Sequence, residues 1–545
     1  MNAKPTHDLT LRLEGMKQPV PWAEAGIALP TYDIAAVHKA TREHPVWVHF
    51  GIGNIFRIFL GGLCDTLLTQ GDTDLGINCV ETHDLEIVDR IYTPCDNLVL
   101  AVTLHSSGEK DLRILAPLAE AVKATGPEAD RKRLEIIAAS PSLQMISLTI
   151  TEKGYALRDL DGHLLKTAAH DMQAGPGASI GAVGVLSDML HARYLHGARP
   201  LALVSMDNVS RNGEKLRHAV LETVHAWQAR GLVPEGFVKW VSDESKVSFP
   251  WTMIDKITPR PSPDVAFYLS SLGVRDMDIL VTDQHTYIAP FANAEAPQYL
   301  VIEDSFPNGR PPLEKAGVYM TDRETVNLCE RMKVTACLNP LHTGLCTYAC
   351  MLGYDLFADA MQDRHLLRLA ECIGYDEDLP MVEDPGILSP KAFLDEVIHV
   401  RFPNRYLGDT SQRIATDISQ MVGIRFGETI RRYVTSRGTA SLLIGIPLAI
   451  AGWLRYLLAL DDMGTPMELA PDPMLPLLQD ALRTVVFGDP SSVRSQLRPI
   501  LQNTQLFGMD LYEAGIGEKI EHLFRSEIQG PGAVRKTLAE ALQQP

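Results

Sequence analysis

The sequence lacks the features of secreted, membrane and nucleic-acid-binding proteins. Its 545 residues include 50 Lys and Arg against 68 Asp and Glu, and the net charge of −18 repels nucleic acid phosphates and anionic lipids. No apolar run of signal-peptide length lies near the N-terminus, so a cytoplasmic location is expected. The most apolar stretch, residues 441–454, is shorter than the roughly 20 residues that span a bilayer, and Gly445 and Pro447 interrupt it. We therefore predict a buried helix there, and a small molecule as the partner rather than nucleic acid or membrane.

The sequence also contains no CxxC or HExxH motif of the kind that binds zinc. In a reducing cytoplasm its eight cysteines are predicted to be buried apolar side chains rather than disulfides. His342, Cys346 and Cys350 have the spacing of one helical face. Metal binding by these three residues is the alternative to the prediction of no metal.

Hydrophobic residues make up 46% of the chain, enough for a large core, and the length suits two to four domains. Strand-like runs alternate with helical patterns up to about residue 300, as in an α/β domain with a mainly parallel sheet. The strand-like runs are residues 46–50, 76–80, 145–150 and 201–205, and the helical patterns are residues 114–124, 131–139 and 183–194. Helical periodicity dominates beyond, so we predict an α/β domain at residues 1–298 and a mostly α-helical domain at residues 299–545.

The first strand-like run leads into Gly51-Ile52-Gly53 and an amphipathic helix. A strand, a tight glycine turn and a helix N-terminus in this order cradle the pyrophosphate of a dinucleotide. Phe56 replaces the third glycine of that fingerprint, so the helix is expected to lie less close to the strand. The second run leads to Glu81, and an acid there would bind the adenosine ribose 2′-hydroxyl and repel a 2′-phosphate, which favours NAD over NADP. A solvated acid after a strand is the alternative.

Two polar residues follow the strand-like run at residues 201–205. Ligands of open α/β sheets bind at the carboxyl ends of strands, so Asp207 and Asn208 are suitably placed for a site. An Asx turn that caps the helix starting near Gly213 is an equally good interpretation. Both can hold, because one residue can cap while its neighbour binds.

Residues 330–343 place a lysine, an asparagine and a histidine in one apolar helical setting. Burial of the Lys333 amine would lower its pKa, and a lysine so shifted can act as a base near neutral pH. Asn339 and His342 follow within three turns of a helix. The alternative is a lysine whose ammonium reaches the surface from an ordinary helix.

Five uncommon strings of residues occur together in this chain. They are S-L-T-I-T-E-K-G-Y (147–155), M-D-N-V-S-R-N-G (206–213), F-P-W-T-M-I-D-K-I-T-P (249–259), V-I-E-D-S-F-P-N-G-R-P (301–311) and L-N-P-L-H-T (338–343). As an ordered set they resemble the mannitol dehydrogenase family of polyol-specific long-chain dehydrogenases and reductases, over residues 46–460. The resemblance implies a Rossmann-type N-terminal domain, a helical C-terminal domain, NAD(P) as the cofactor and no metal.

The resemblance also implies catalytic roles for individual residues. Lys333 looks like the family's catalytic base, and Asn208 and Asn339 look like the donors of hydrogen bonds to the reacting oxygen. His342 resembles a residue that contacts the substrate, and Glu330 resembles the glutamate that relays the proton of the lysine.

Substrate and cofactor contacts are implied in the same way. Asp255 and Arg413 look like contacts to substrate hydroxyls, whereas Met421 stands where many relatives have a substrate-contacting lysine. The cofactor-binding residues that we predict are Gly51, Gly53, Asn54, Ile55, Phe56, Arg57, Glu81, Glu152 and Asn208.

The spacing of the lysine departs from the family pattern. The family's lysine usually precedes its asparagine by five residues, whereas Lys333 precedes Asn339 by six and His342 by nine. At roughly 100° per residue, the extra residue turns Lys333 from about 80° to about 180° away from His342 on a regular helix. A one-residue π-bulge would restore the facing, and Pro340, which cannot donate to the carbonyl of Ala336, is compatible with one.

The resemblance, together with these residues, implies a metal-independent, NAD-dependent oxidoreductase that interconverts a 2-keto sugar acid or ketose with the corresponding aldonate or polyol. Reduction of fructuronate is the favoured reaction. Mannitol or arabinitol 2-dehydrogenase activity is the alternative, which the uncharged Met421 suits. A nucleotide-binding protein that has lost catalysis is the alternative of another class, because the lysine register is shifted.

Overall fold

The computed structural model of the protein describes residues 8–159 and 161–543. The chain divides into two compact units, Met1–Asn327 and Leu328–Pro545, whereas the sequence predicts the boundary after residue 298. Strand Tyr299–Glu303 lies beyond that predicted boundary, yet it pairs with Thr252–Asp255 on one side and Tyr319–Thr321 on the other. This strand pairing extends the first unit past the predicted position.

Six parallel strands form the central sheet of the first unit. Their order across the sheet is Leu118–Lys123, Ile77–Glu81, Trp47–Phe50, Met145–Leu148, Leu201–Ser205 and Val247–Ser248. Numbered along the chain, this is the 3-2-1-4-5-6 order of a doubly wound dinucleotide-binding domain. The predicted Rossmann-type α/β fold is therefore confirmed.

Neighbouring positions of each central strand face two different apolar cores. Trp47 belongs to the cluster on one face of the sheet, and Val48 and Phe50 belong to the cluster on the other. Strands that are covered on both faces are apolar at nearly every position, which is why they stand out in the sequence.

The α-helices of the first unit are Pro19–Glu24, Ile34–Glu43, Gly61–Gln70, Glu128–Ala139, Thr151–Tyr155, Lys166–Ala174, Ala182–Leu195, Asn212–Ala229, Glu235–Ser242 and Pro263–Ser271. Two of them confirm the helices predicted at residues 131–139 and 183–194. The helix predicted at residues 114–124 is wrong, because these residues belong to strands Lys110–Leu115 and Leu118–Lys123. Pairing of Leu118–Lys123 with Ile77–Glu81 overrides the helix propensity of its alanine and glutamate residues.

Smaller sheets complete the first unit. A four-stranded sheet has the order Ile27–Ala28, Lys110–Leu115, Val99–Leu104 and Phe291–Glu295, and Leu280–Val281 pairs with Tyr287–Ile288. Single helical turns of 3₁₀ or π type occur at Gly15–Lys17, Phe56–Leu60, Val88–Tyr92, Thr93–Cys95 and Leu313–Ala316.

The described part of the second unit consists of helices joined by loops, with isolated bridges in place of a sheet. Helix Arg323–Met332 and π turn Lys333–Cys337 lead into it. The α-helices that follow are Asn339–Met351, Phe357–Ala360, Arg364–Glu371, Pro390–Glu396, Ser411–Ile414, Ile418–Arg425, Gly427–Arg437, Gly445–Tyr456, Leu475–Leu482, Arg498–Leu501, Thr504–Phe507, Gly517–Glu527 and Ala533–Ala541. Its other short turns are the π turns Cys372–Asp378 and Val397–Arg401 and the 3₁₀ turns Arg405–Leu407 and Pro490–Ser492. The predicted helical C-terminal domain is thereby confirmed.

Helix Gly445–Tyr456 corresponds to the most apolar stretch of the sequence. All of its residues are buried, which confirms the predicted buried helix. None of the helices in the described residues combines the length and the apolar character required to cross a membrane.

Candidate active site

The turn after strand Trp47–Phe50 leaves room for a ligand to approach the backbone. Gly51 has a φ of +85°, and its N–H donates to the carbonyl of Val80 over 3.1 Å. A side chain at this position would place its Cβ 2.2 Å from the carbonyl oxygen of Thr149, so only glycine fits. A Cβ at Gly53 would instead meet nothing within 4 Å. The turn is closed towards the protein and open on its outer side, as the backbone cradle of a pyrophosphate requires.

Phe56, which replaces the third glycine, fills the space between the helix and the first central strand. It is fully buried, and its ring stacks on the imidazole of His49 with the centroids 4.0 Å apart. Burial lowers the pKa of His49 to about 3, so this stack contains a neutral imidazole. Ile55 packs against the same core. A cofactor contact at Phe56 can therefore come only from its backbone.

Asn54 and Arg57 support the turn through contacts within the first unit. Arg57 is 1% exposed, and its Nη1 donates to the carbonyl of Ala289 over 2.7 Å. Asn54 donates from Nδ2 to the carbonyl of Tyr287 over 3.1 Å. Both side chains link the turn to the segment around residue 288, and neither lines the groove described next.

A groove of about 630 Å³ lies along the carboxyl ends of the central strands. Its lining includes Gly51 and Gly53 after the first strand, Glu81 at the end of the second and residues 149–151 after the fourth. The volume is typical of a small-molecule site, and doubly wound sheets bind dinucleotides at this edge. The glycine turn and the groove therefore fit a dinucleotide cofactor.

Glu81 ends the second central strand as a buried carboxylate, so the alternative of a solvated acid is wrong. Its Oε2 accepts the N–H of Ile52 over 3.2 Å, and its Oε1 accepts the N–H groups of Thr82, His83 and Asp84 over 2.8 to 3.1 Å. Burial raises its pKa, and these four hydrogen bonds oppose that rise. Glu81 thus ties the glycine turn to the loop that lines the groove, a role that the sequence did not predict.

Asp207 also organises a loop at the edge of this groove. Its two carboxylate oxygens accept the N–H groups of Ile150 and Thr151 over 3.0 and 2.9 Å, and Thr151 has a φ of +62°. Arg211, the residue before helix Asn212–Ala229, makes no capping hydrogen bond with its side chain, and the carboxylate of Asp207 is bound to Ile150 and Thr151, so the predicted capping role is wrong for Asp207. Asp207 instead holds the turn after the fourth strand.

Two of the predicted cofactor residues near this loop are exposed. Asn208 directly follows Asp207, and Glu152 forms an ion pair with Lys215. Exposure leaves both side chains accessible to a ligand.

Asp255 is buried at the end of strand Thr252–Asp255. Asn212 connects the start of this strand to the Asp207 loop, because its Nδ2 donates to the carbonyl oxygens of both Asp207 and Thr252 over 3.0 Å. Asn212, the second asparagine of the M-D-N-V-S-R-N-G string, thus links the Asp207 loop to the strand that ends in Asp255.

Lys333 begins a π turn, Lys333–Cys337, between two α-helices of the chain. The N–H of Leu338 donates to the carbonyl of Lys333 over 3.2 Å, which is the i to i+5 bond of such a turn. Lys333 is 1% exposed, so the alternative of a lysine that reaches the surface from an ordinary helix is wrong. The predicted π-bulge is confirmed, and it absorbs the extra residue between Lys333 and Asn339.

Leu338 separates this π turn from helix Asn339–Met351, which contains two predicted site residues. Asn339 is its first residue, and His342, one turn along, stacks on Phe402 with the centroids 4.4 Å apart and meets the edge of Phe357. Both side chains are partly buried. Glu330 lies on the preceding helix, three residues before Lys333, and is also partly buried.

Arg413 and Met421 lie on two neighbouring helices of the second unit, Ser411–Ile414 and Ile418–Arg425. Arg413 is exposed and forms an ion pair with Asp409 four residues earlier. Met421 is partly buried. A substrate contact by Arg413 would compete with its pairing to Asp409.

All eight cysteines are free thiols, and all except Cys350 are buried. Burial raises the pKa of Cys346 and raises that of Cys350 to about 12, so both thiols are protonated at neutral pH. In the part of the chain that the structure describes, the group of three side chains close enough to share an ion is Asp159, Asp161 and His163, all of them exposed.

Two family models match almost the whole chain. The mannitol dehydrogenase Rossmann domain matches residues 46–315, and the mannitol dehydrogenase C-terminal domain matches residues 325–525. The chain belongs to the mannitol dehydrogenase family. This confirms the predicted family and agrees with the predicted oxidoreductase activity.

Three proteins of known name are similar to this chain over nearly its whole length. D-mannonate oxidoreductase of Thermotoga maritima is 49% identical over 537 residues, which cover 98% of this chain and 99% of that protein. Substrate-free D-sorbitol dehydrogenase has a TM-score of 0.78 at 25% identity, over 98% of this chain and 100% of that one. Mannitol 2-dehydrogenase of Pseudomonas fluorescens, solved with NAD and D-mannitol, has a TM-score of 0.71 at 24% identity over the same shares.

Proposed function

We propose that this protein is a D-mannonate oxidoreductase that interconverts D-mannonate and D-fructuronate with NAD as the cofactor. The observation that supports this most directly is the 49% identity to a D-mannonate oxidoreductase over 98% of the chain. The two polyol dehydrogenases of known structure are only 24% and 25% identical, so their substrates are weaker guides.

The first unit would hold the cofactor in the groove along its central sheet. The glycine turn would receive the pyrophosphate, because Gly51 and Gly53 leave its outer side open. Glu81 would face the adenosine ribose and disfavour the 2′-phosphate of NADP, since it already places a buried carboxylate at the groove wall. Bound NAD supplies the acceptor of the hydride that leaves the secondary alcohol.

Lys333 would act as the base that takes the proton of the substrate hydroxyl. A buried amine favours its neutral form, and a neutral amine can accept a proton near neutral pH. Asn208 and Asn339 would donate amide N–H groups to the same oxygen and stabilise its developing negative charge. Glu330, partly buried three residues before Lys333, would pass the proton onward.

Three further residues would hold the substrate. His342 is fixed by stacking on Phe402, so its ring can present a nitrogen at a defined position. Asp255 and Arg413 would bind sugar hydroxyls, Asp255 from a buried strand end and Arg413 from an exposed helix.

Mannitol or arabinitol 2-dehydrogenase activity is the second candidate, and the uncharged side chain of Met421 favours it. The non-catalytic alternative was based on the one-residue shift of Lys333 relative to Asn339. The π turn Lys333–Cys337 accommodates that shift, so this reason for the alternative no longer applies. A cytoplasmic location and the identity of the individual sugar contacts stay predictions from the sequence.

A panel of carbonyl substrates tests the proposal. NADH oxidation should be efficient with D-fructuronate and weak with D-fructose or D-ribulose. NAD reduction should likewise be efficient with D-mannonate and weak with mannitol or arabinitol. Efficient turnover of the uncharged sugars would favour the second candidate. No turnover of any substrate by folded, NAD-binding protein would revive the non-catalytic alternative.

A further inference from the structure

Arg425 is the last residue of helix Ile418–Arg425 and reaches helix Asn339–Met351. Its Nη1 donates to Oγ1 of Thr343 over 2.6 Å, and the guanidinium is partly buried. Thr343 directly follows His342 and lies four residues after Asn339. Positions i and i+4 share one face of a helix, so Arg425 contacts the same face as the proposed oxygen-binding amide.

This guanidinium has no acidic partner among the described residues. The titratable neighbour that acts on its charge is the thiol of Cys346, and burial raises the pKa of that thiol, so it is neutral. Its hydrogen bond to Thr343 is to an uncharged hydroxyl. Removing a cation from water without a counter-charge costs free energy, so the site is poised for an anion.

Other arginines of the second unit satisfy their charge differently. Arg331, Arg431 and Arg432 share the carboxylate of Glu428. Arg455 is fully buried, and it donates to the three backbone carbonyls of Leu460, Asp461 and Glu527. Arg425 resembles neither group, because one neutral hydroxyl engages only one of its five N–H donors.

The proposed substrate and product are both anions. In each, three carbons separate the carboxylate from the carbon that bears the reacting oxygen, so a cation about one helical turn from the amide that binds this oxygen would recognise it. Arginine suits this task because its planar fork can form two parallel hydrogen bonds to one carboxylate. Met421, one helical turn before Arg425, cannot supply that charge.

We propose that Arg425 binds the carboxylate of the sugar acid and thereby selects aldonates and ketouronates over uncharged polyols and ketoses. This inference rests on the proposed function. Thr343 would orient the guanidinium, which makes it a positioning residue, while the remaining N–H groups of Arg425 would face the substrate.

The test compares Arg425→Gln and Arg425→Lys with the wild type and with Arg431→Gln. Arg431 is an exposed arginine whose charge is already paired with Glu428, so its loss should leave the kinetics unchanged. For Arg425→Gln, we expect the KM for D-fructuronate and the dissociation constant of D-mannonate for the NAD-loaded protein to rise about 10- to 150-fold, the range for a lost charged hydrogen bond. The turnover number should fall less, because this contact is also made in the ground state. The KM of Arg425→Lys for D-fructuronate should lie between those of the wild type and Arg425→Gln, since lysine keeps the charge and lacks the planar fork of the guanidinium.

A third variant, Arg425→Ala, distinguishes substrate binding by Arg425 from a purely structural role, because added guanidinium can replace the missing group only in the first case. Added guanidinium chloride at millimolar concentration should partly restore its affinity for D-fructuronate and should not change that of Arg431→Gln. If the wild type reduces D-fructuronate and the Gln variant keeps its KM within about threefold, the inference about Arg425 is wrong and the proposed function stands. If the wild type does not reduce any ketouronate, the proposed function fails and this inference fails with it. If Arg425→Gln does not fold, the KM of Arg425→Lys and the guanidinium rescue of Arg425→Ala decide the question instead.

Discussion

Replacement of Glu527 by glutamine should remove part of the pH dependence of stability. Glu527 is fully buried on helix Gly517–Glu527, and its Oε1 lies 2.5 Å from the hydroxyl of Tyr348, a residue of the helix that contains Asn339 and His342. That hydroxyl also lies 2.7 Å from the carbonyl oxygen of Leu448, which can only accept. Tyr348 has one proton to donate, so a protonated Glu527 that donates from Oε1 to the tyrosine oxygen leaves that proton for the carbonyl of Leu448.

The magnitude follows from the pKa of Glu527, which burial raises from the ordinary 4.5 to about 8. Between these pH values the folded protein binds a proton that the unfolded chain has lost, so the free energy of unfolding falls as the pH rises. The full contribution is present below pH 4.5. At about 1.36 kcal/mol per pH unit, roughly 3 kcal/mol of it is lost by pH 7.

Glutamine stays neutral at every pH, and its amide can still donate to Tyr348. We expect Glu527→Gln and the wild type to have similar free energies of unfolding in urea at pH 5, and the variant to be more stable by a few kcal/mol at pH 8. Glu377, whose pKa burial raises to about 7, is present in both proteins and cancels in the difference. Glu518→Gln, an exposed acid on the same helix, is the control and should follow the wild type. Parallel stability curves for Glu527→Gln and wild type would refute a protonated Glu527.

Three further predictions concern catalysis. Lys333→Met should lower turnover by roughly 10²- to 10⁴-fold and leave the dissociation constant of NADH unchanged. The control Lys391→Met, at an exposed lysine, should match the wild type. Near-normal turnover of Lys333→Met would show that Lys333 is not the base. The kcat/KM of the wild type should be much higher with NAD than with NADP. Glu81→Gln should reduce this preference, since it removes the charge that repels a 2′-phosphate. Equal kcat/KM values of the wild type with both cofactors would contradict this role of Glu81. Activity should survive exhaustive chelation, and a loss that zinc restores would instead indicate a metal at His342, Cys346 and Cys350.

The central sheet could be predicted from the sequence because its strands are buried on both faces. Each of the four predicted runs contains or overlaps an observed strand, Trp47–Phe50 and Leu201–Ser205 among them. Edge strand Leu118–Lys123 was missed because Ala and Glu favour helices, and its pairing with Ile77–Glu81 depends on residues about 40 positions away.

The candidate site was predictable where its chemistry is local. The glycine turn, the acid after the second strand and the lysine of the π turn each lie within one short segment. Contacts between distant segments were not predicted: Asp207 binds the backbone 57 residues earlier at Ile150, and Arg425 binds Thr343 82 residues earlier. Such pairs depend on how whole elements pack, and a single sequence contains no local signal for them.

The π turn shows how a departure from a sequence pattern can preserve the geometry behind it. With Asn339 six positions after Lys333 on a regular helix, the two side chains would point far from their family arrangement. One i to i+5 bond, from Leu338 to Lys333, widens a single turn and takes up the extra residue. Pro340 supports this solution, because it has no N–H to offer the carbonyl of Ala336 and so does not enforce a regular helix there. The extra residue is therefore accommodated locally by the π turn, and the spacing is not in itself a reason to infer a lost catalytic function.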